Sequence, residues 1–150
     1  MVGNIILGML VMAVCLALQL VLVALAMRYY TRHDYLVQRS TFASSLRVIF
    51  GVMALLVIGN TAQIGIWALL LLMLGEFSEF SEAVYHSAVN FATLGYGDIV
   101  MSEKHKLLGP FEAMNGVLMI GVSTSALMTA FQDAFKRTVS ARQAAKQDRA

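Results

Sequence analysis

The chain has 150 residues, of which 59% are hydrophobic and 13% are charged, and its net charge is +2. Soluble globular domains carry about 45–50% apolar and about 25% charged residues, so this composition excludes an ordinary soluble domain and a disordered chain. The small net charge does not indicate nucleic-acid binding. The single cysteine, Cys15, excludes an intrachain disulfide.

The first predicted element is a transmembrane helix within residues 1–27. An apolar run from Ile5 to Met27 is interrupted only by Gln19 and is long enough to cross a hydrocarbon core about 30 Å thick. A cleaved signal peptide is the alternative, but signal peptides carry their basic residues before the apolar run. Here the basic residues follow it, so we expect the helix to be retained.

Two basic segments predict the orientation of the chain. Residues 28–47 form a linker with four arginines, and residues 136–150 form a tail with five basic residues. Cytoplasmic loops are enriched in lysine and arginine, so we expect both segments in the cytoplasm and the N-terminus outside. The arginines lie outside the apolar runs at irregular spacing, which excludes a voltage-sensor helix.

The second predicted transmembrane helix covers residues 48–74. Asn60, Thr61 and Gln63 interrupt it near its middle. Lipid offers no hydrogen-bond partner to such groups, so they are expected to face another helix or a cavity. Two interpretations stay open here: packing between helices, which we favour, and a path for ions.

The segment between the second and third apolar runs differs from both. Residues 80–92 are moderately apolar and too short to cross a bilayer, and the glycine-rich residues 93–98 follow them. Irregular backbone is tolerated at membrane depth only where protein buries it or where it lines water. The pattern predicts a re-entrant helix and loop, followed by a third transmembrane helix over residues 107–135.

Residues Thr93-Leu94-Gly95-Tyr96-Gly97-Asp98 are the most informative part of the chain. They resemble the filter signature of the potassium channel superfamily, which usually has valine or isoleucine where this chain has Leu94. Five matching positions arise by chance on the order of once in three million starting points at about 5% abundance per residue. The short helix before the motif and a full span on either side strengthen the resemblance.

The resemblance implies an all-α membrane protein with three transmembrane helices, a re-entrant pore helix and a filter loop, assembled as a tetrameric pore. The pore module would cover residues 48–135, with outer helix 48–74, pore helix 80–92, filter 93–98 and inner helix 107–135. The extra helix within 1–27 has no counterpart in the minimal two-helix pore, and we expect it to pack outside the pore ring, facing lipid.

The filter residues imply a mechanism for K⁺. Rings of backbone carbonyls from four chains replace the hydration shell of the ion. We expect the carbonyls of Thr93, Leu94, Gly95 and Tyr96 and the hydroxyl of Thr93 to bind K⁺. Glycine adopts the positive φ angles that this backbone needs, which accounts for Gly95 and Gly97. Asp98 is expected at the outer mouth. K⁺ is the permeant ion, and no cofactor is expected.

Three residues of the third span are candidates for further roles. Gly121 matches the place of a hinge glycine in many members of the superfamily, and Gly116 is a second candidate for a gating hinge. For both, helix packing is the alternative interpretation. Glu112 is an acid inside the membrane, which marks a functional candidate, although a structural role is equally open.

The pore helix departs from its relatives at two positions. Ala92 stands where many of them have a second threonine, and Val89 stands where some have a glutamate that bonds the filter aspartate. His86 and Asn90 are the candidates to take over that bond, although a histidine on a short helix is more often a packed polar residue.

The leading functional hypothesis is a passive, potassium-selective homotetrameric channel in a bilayer, and by analogy in a bacterial inner membrane. The sequence has no catalytic residues, so an enzyme is not expected, and neither nucleic acid nor a soluble partner is indicated. The altered pore helix leaves a weakly selective cation channel open. A non-conducting scaffold or regulatory subunit is the third alternative, because a fold does not dictate a function.

Overall fold

The computed structural model describes residues 1–33 and 42–147. Within those ranges the chain forms four helices: α1 (Val2–Arg32), α2 (Phe42–Met73), α3 (Phe80–Phe91) and α4 (Leu108–Gln147). Helices α1, α2 and α4 each contain a stretch that is long and apolar enough to cross a membrane. Helix α3 has 12 residues and is about 18 Å long, too short for such a crossing.

The three long helices extend beyond the apolar runs of the sequence. Helix α1 continues to Arg32, α2 begins at Phe42, and α4 continues to Gln147. The length of an apolar run corresponds to the part of the helix inside the bilayer. Arginine, lysine and glutamine continue a helix readily in water, so the helix extends beyond that run. Residues 34–41 of the predicted linker and residues 148–150 of the predicted tail lie outside the described residues.

One compact unit comprises residues 1–20 and 58–121. Its buried core contains large apolar side chains of α2, α3 and α4: Trp67, Leu71, Phe91, Leu108 and Met119. Two fully buried glutamines join its helices, because Gln63 Nε2 donates to Gln19 Oε1 at 2.7 Å and Gln19 Nε2 donates to the Met119 carbonyl at 3.4 Å. The helix-packing interpretation is therefore confirmed for Gln63.

A second compact unit comprises residues 21–57 and 122–150, within the described ranges. Small side chains at a spacing of four residues form the buried face of α4 here: Ala126, Ala130 and Ala134. Gly51 of α2 lies against the ring of Tyr29, and a Cβ atom added to it would be 2.6 Å from that ring. The hydroxyl of Tyr30 donates to Asp133 Oδ2 at 2.9 Å.

Candidate functional site

Helix α3 ends in a defined hydrogen-bonded turn that leads into the predicted filter. The Thr93 amide donates to the Asn90 carbonyl at 2.8 Å, and the Leu94 amide donates to the Val89 carbonyl at 2.9 Å. These two bonds form a Schellman motif, which closes a helix by placing the residue after the C-cap in the left-handed region. The C-cap is Ala92, so the left-handed position falls on Thr93.

Thr93 has a φ angle of +58° and is the one non-glycine residue with positive φ among the described residues. A β-branched side chain is strongly disfavoured in this region, and such a conformation costs on the order of 1–3 kcal/mol. Glycine would occupy the turn without that strain. The strain marks Thr93 as a position where the side chain matters, and no feature of the sequence other than the motif itself indicates this conformation.

Gly95 and Gly97 also have positive φ angles, +57° and +72°. Positive φ therefore occurs at every second residue, 93, 95 and 97. A Cβ atom added to either glycine would meet no atom within 4 Å in the single chain. Glycine is needed here for the backbone conformation and not for space.

The predicted filter is exposed along its whole length in the single chain. Every residue from 92 to 98 is exposed. Two of its side chains are large and apolar, Leu94 and Tyr96, and they are 54% and 65% exposed. A segment of this kind leaves apolar surface for which the single chain provides no cover.

Asp98, the last residue of the motif, is tied to helix α3. The hydroxyl of Tyr85 donates to Asp98 Oδ2 at 2.7 Å. This hydrogen bond lowers the pKa of Asp98 and raises the pKa of Tyr85. The expectation that His86 or Asn90 makes this bond is wrong. The correct donor lies one position before His86, where only the three-dimensional path of the loop decides which side chain reaches the carboxylate.

His86 and Asn90 form a different connection, which leads to the carbonyl of Ile99. Asn90 Nδ2 lies 2.8 Å from His86 Nε2 and 3.3 Å from Glu112 Oε2, and His86 Nδ1 lies 3.0 Å from the Ile99 carbonyl oxygen. The amide of Asn90 donates to both neighbours, so His86 Nε2 is the acceptor. His86 then carries its proton on Nδ1 and donates it to Ile99. Glu112 is completely buried in α4.

The loop after the motif is fixed to the end of α2 and to α1. Glu76 accepts hydrogen bonds from the Ser102 amide at 2.7 Å, from the Ser102 hydroxyl at 2.6 Å and from His105 Nδ1. Burial opposes the charged carboxylate, but these hydrogen bonds and the charge of His105 outweigh burial and lower the pKa of Glu76. Near the start of α1, Asn4 Nδ2 donates to the Lys104 carbonyl at 2.5 Å.

Gly116 brings α4 into backbone contact with the end of α3. A Cβ atom added to Gly116 would lie 1.9 Å from the carbonyl oxygen of Phe91, whereas one added to Gly121 would meet nothing within 4 Å. Gly116 therefore has a packing role. Helix α4 is continuous through both glycines. A hinge at Gly121 stays a prediction.

Comparison with known proteins identifies the family. A family model described as "Ion channel" matches residues 54–133, which include α3, the motif and the first part of α4. No curated protein and no solved structure matches the chain. The match covers more than half of the chain and confirms the resemblance drawn from residues 93–98. With three helices long and apolar enough to cross a membrane, the chain is a multi-pass membrane protein that belongs to the ion-channel family.

Proposed function

We propose that the chain is one subunit of a homotetrameric channel that conducts K⁺ selectively through residues 93–98. The observation that carries this proposal is the sequence Thr-Leu-Gly-Tyr-Gly-Asp with positive φ at Thr93, Gly95 and Gly97. In this alternation successive carbonyls can point to one side of the strand, as an ion-binding column requires. The ion ligands are the carbonyls of Thr93, Leu94, Gly95 and Tyr96 and the hydroxyl of Thr93.

The strained conformation of Thr93 supports its part in this site. Threonine in the left-handed region costs free energy that glycine would avoid. The hydroxyl supplies an additional oxygen at the inner end of the column, which glycine lacks. The C-terminal end of α3 also lies at this point and directs its partial negative charge towards a cation.

Four copies are proposed because one strand cannot surround an ion. Residues 92–98 are exposed in the single chain, Leu94 and Tyr96 in particular, which supports an assembly in which neighbouring subunits bury them. Within each subunit, residues 48–74 serve as the outer helix, 80–92 as a re-entrant pore helix and 107–135 as the inner helix. Gly121 is the proposed hinge of the inner helix, and K⁺ is cargo and not a cofactor.

The proposed orientation places the N-terminus and the filter mouth outside the cell and the basic tail, residues 136–150, in the cytoplasm. The hydrogen bond from Asn4 to the Lys104 carbonyl supports it, because it joins the start of α1 to the loop after the filter. The distribution of basic residues supports the same orientation. A bacterial inner membrane is the proposed location.

A cation channel with weak discrimination between K⁺ and Na⁺ is the second candidate. The side chain of Leu94 branches at Cγ, whereas the usual valine and isoleucine branch at Cβ, and Tyr85 holds Asp98 from the exposed side of α3. Both features change the packing around the filter, which decides how rigidly the carbonyls are held.

Flux measurements on purified protein in liposomes distinguish the two candidates. We expect K⁺ flux that external Ba²⁺ blocks, with Na⁺ flux at least about tenfold lower, which corresponds to about 1.4 kcal/mol. Equal fluxes of the two ions would favour the weakly selective channel. A protein that is dimeric by cross-linking in the same membranes and carries neither ion would contradict both.

A further inference from the structure

A fully buried carboxyl group lies on α4 beside the filter segment. Glu112 has no exposed surface, and its Oε2 accepts a hydrogen bond from Asn90 Nδ2 of α3. Its other oxygen, Oε1, has no hydrogen-bond partner among the described residues. Gly116, one helical turn further along α4, is in backbone contact with Phe91 and thereby fixes the distance between the two helices.

The carboxyl group determines which way the amide of Asn90 faces. Both hydrogens of Asn90 Nδ2 are engaged, one with Glu112 Oε2 and one with His86 Nε2. With the carboxyl group ionised, or protonated on Oε1, a rotation of the amide by 180° would bring its carbonyl oxygen against the acceptor Oε2 of Glu112 in a buried place. An unpaired buried acceptor is costly, so Glu112 keeps the donor end of Asn90 towards His86.

The orientation of Asn90 in turn determines the proton of His86. Because His86 Nε2 accepts from Asn90, the proton of the neutral ring resides on Nδ1, from which it bonds to the Ile99 carbonyl at 3.0 Å. In the other tautomer, Nδ1 would present a lone pair to that carbonyl oxygen. Ile99 directly follows Asp98, so this bond holds the chain where the motif ends.

We infer that Glu112 is a positioning residue for the outer end of the filter. It acts through two residues. Glu112 orients the amide of Asn90, Asn90 orients the donor and acceptor nitrogens of His86, and His86 then donates to the Ile99 carbonyl. Together with the bond from Tyr85 to Asp98, this connection holds the end of residues 93–98 at two adjacent points. The inference deepens the proposed function and rests on it for the effect on ion selectivity, but the proton position on His86 is independent of conduction.

The first test observes His86 directly by ¹⁵N solid-state NMR of the full chain in lipid bilayers. His33 and His105, the other histidines, are assigned by their replacement with Gln. We expect neutral His86 with Nδ1 protonated and Nε2 unprotonated. Glu112→Leu should convert this single tautomer into a mixture, while Glu112→Gln, which keeps an acceptor for Asn90, should retain it. An unchanged tautomer in Glu112→Leu would overturn the inference.

A second variant keeps the test decisive if Glu112→Leu does not fold. Asn90→Asp preserves the shape of the side chain but places an acceptor against His86 Nε2. We expect Nε2 to become protonated. An Nε2 that remains unprotonated would contradict the connection.

The second test measures K⁺ and Na⁺ flux of the same variants in liposomes. The ratio of K⁺ to Na⁺ flux should fall about tenfold in Glu112→Leu, as expected for one lost buried hydrogen bond, and should recover in Glu112→Gln. Asn115→Leu is the matched control. Asn115 is completely buried on the same helix but makes no hydrogen bond to Glu112, Asn90 or His86, so its replacement should leave the ratio unchanged.

The two readouts separate the inference from the function on which it rests. If the wild-type protein carries no K⁺ but Glu112→Leu changes the tautomer of His86, the positioning role stands and the proposed channel function fails. If the wild type is selective and Glu112→Leu changes neither the tautomer nor the flux ratio, the inference fails and the channel function stands.

Discussion

The two ends of α4 are packed by different chemistry. In residues 108–121 the buried positions include Glu112, Asn115 and Gly116, and the contacts are hydrogen bonds and direct contact between backbones. In residues 122–140 the buried face consists of small side chains, most of them alanines such as Ala126 and Ala130. Small residues suffice where helices only need to approach closely. The larger buried polar side chains of α4, Glu112 and Asn115, lie where the helix adjoins the irregular segment that carries the proposed function.

The largest expected effect in this comparison is that of Gly116→Ala. The added methyl group would lie 1.9 Å from the Phe91 carbonyl oxygen, and that backbone is held by the turn at the end of α3. We expect destabilisation by about 3 kcal/mol, at the upper end for an overpacked site, measured by denaturant unfolding in detergent.

Gly121→Ala is the matched control for Gly116→Ala, because its methyl group meets nothing within 4 Å and alanine favours a helix. Its stability should be equal to that of the wild type or up to about 1 kcal/mol higher. Equal stability of the two variants would show that α3 and α4 are not in backbone contact.

The next effect concerns residues 93–98, the proposed filter. Gly97→Ala should reduce K⁺ flux below detection, because φ at this residue is +72° and alanine disfavours that region by about 1–2 kcal/mol in each subunit. The protein should still fold, since the methyl group meets no atom within 4 Å in the single chain. Gly65→Ala is the control, because its added methyl group also meets no atom within 4 Å but lies within α2, and it should conduct normally. Normal flux through Gly97→Ala would remove the filter assignment.

A smaller effect is expected for the glutamine pair between α1 and α2. Gln63→Leu removes the 2.7 Å hydrogen bond to Gln19 and should lower the free energy of unfolding by about 0.6–1.7 kcal/mol. The double variant Gln19→Leu, Gln63→Leu should cost less than the sum of the single variants, because neither glutamine then loses the other as its hydrogen-bond partner. Strict additivity in the unfolding free energies would show that the two side chains do not interact.

The smallest effect is a response to acid at Glu76. Because its pKa is lowered from an ordinary value of 4.5, the folded state favours the carboxylate, and its contribution is complete above about pH 4.5. The contribution is lost as pH falls through the lower pKa of the folded state. We expect the hydrogen-exchange protection of the Ser102 amide to fall in that range. The amide of Ala92, which donates to the Ala88 carbonyl, is the control, and parallel loss at both amides would contradict a local effect.

The three long helices and the short helix before the motif can be predicted from the length and apolarity of their sequence segments. The positions of the helix ends cannot be predicted in this way, because charged residues at the ends of α1 and α4 continue the helix in water. The partners of the polar groups depend on contacts between distant parts of the chain. The sequence marks Glu112 as an intramembrane acid, but the bond to Asn90 requires the close approach at Gly116.

The positive φ angle of Thr93 also cannot be predicted from its residue type. Glycine is the residue that predicts this conformation, so the motif indicates it only at Gly95 and Gly97. At Thr93 it is imposed by the turn that closes α3. The choice of Tyr85 as the partner of Asp98 also depends on the path of the loop.

In the proposed channel, the carbonyls of residues 93–96 bind K⁺ along the axis of a tetramer. Crystals of the full chain grown with Tl⁺ in place of K⁺ test this binding, because Tl⁺ scatters anomalously. We expect a row of anomalous peaks on a fourfold axis, level with the carbonyls of Thr93, Leu94, Gly95 and Tyr96. A tetramer without such peaks, or an assembly without a fourfold axis, would contradict it.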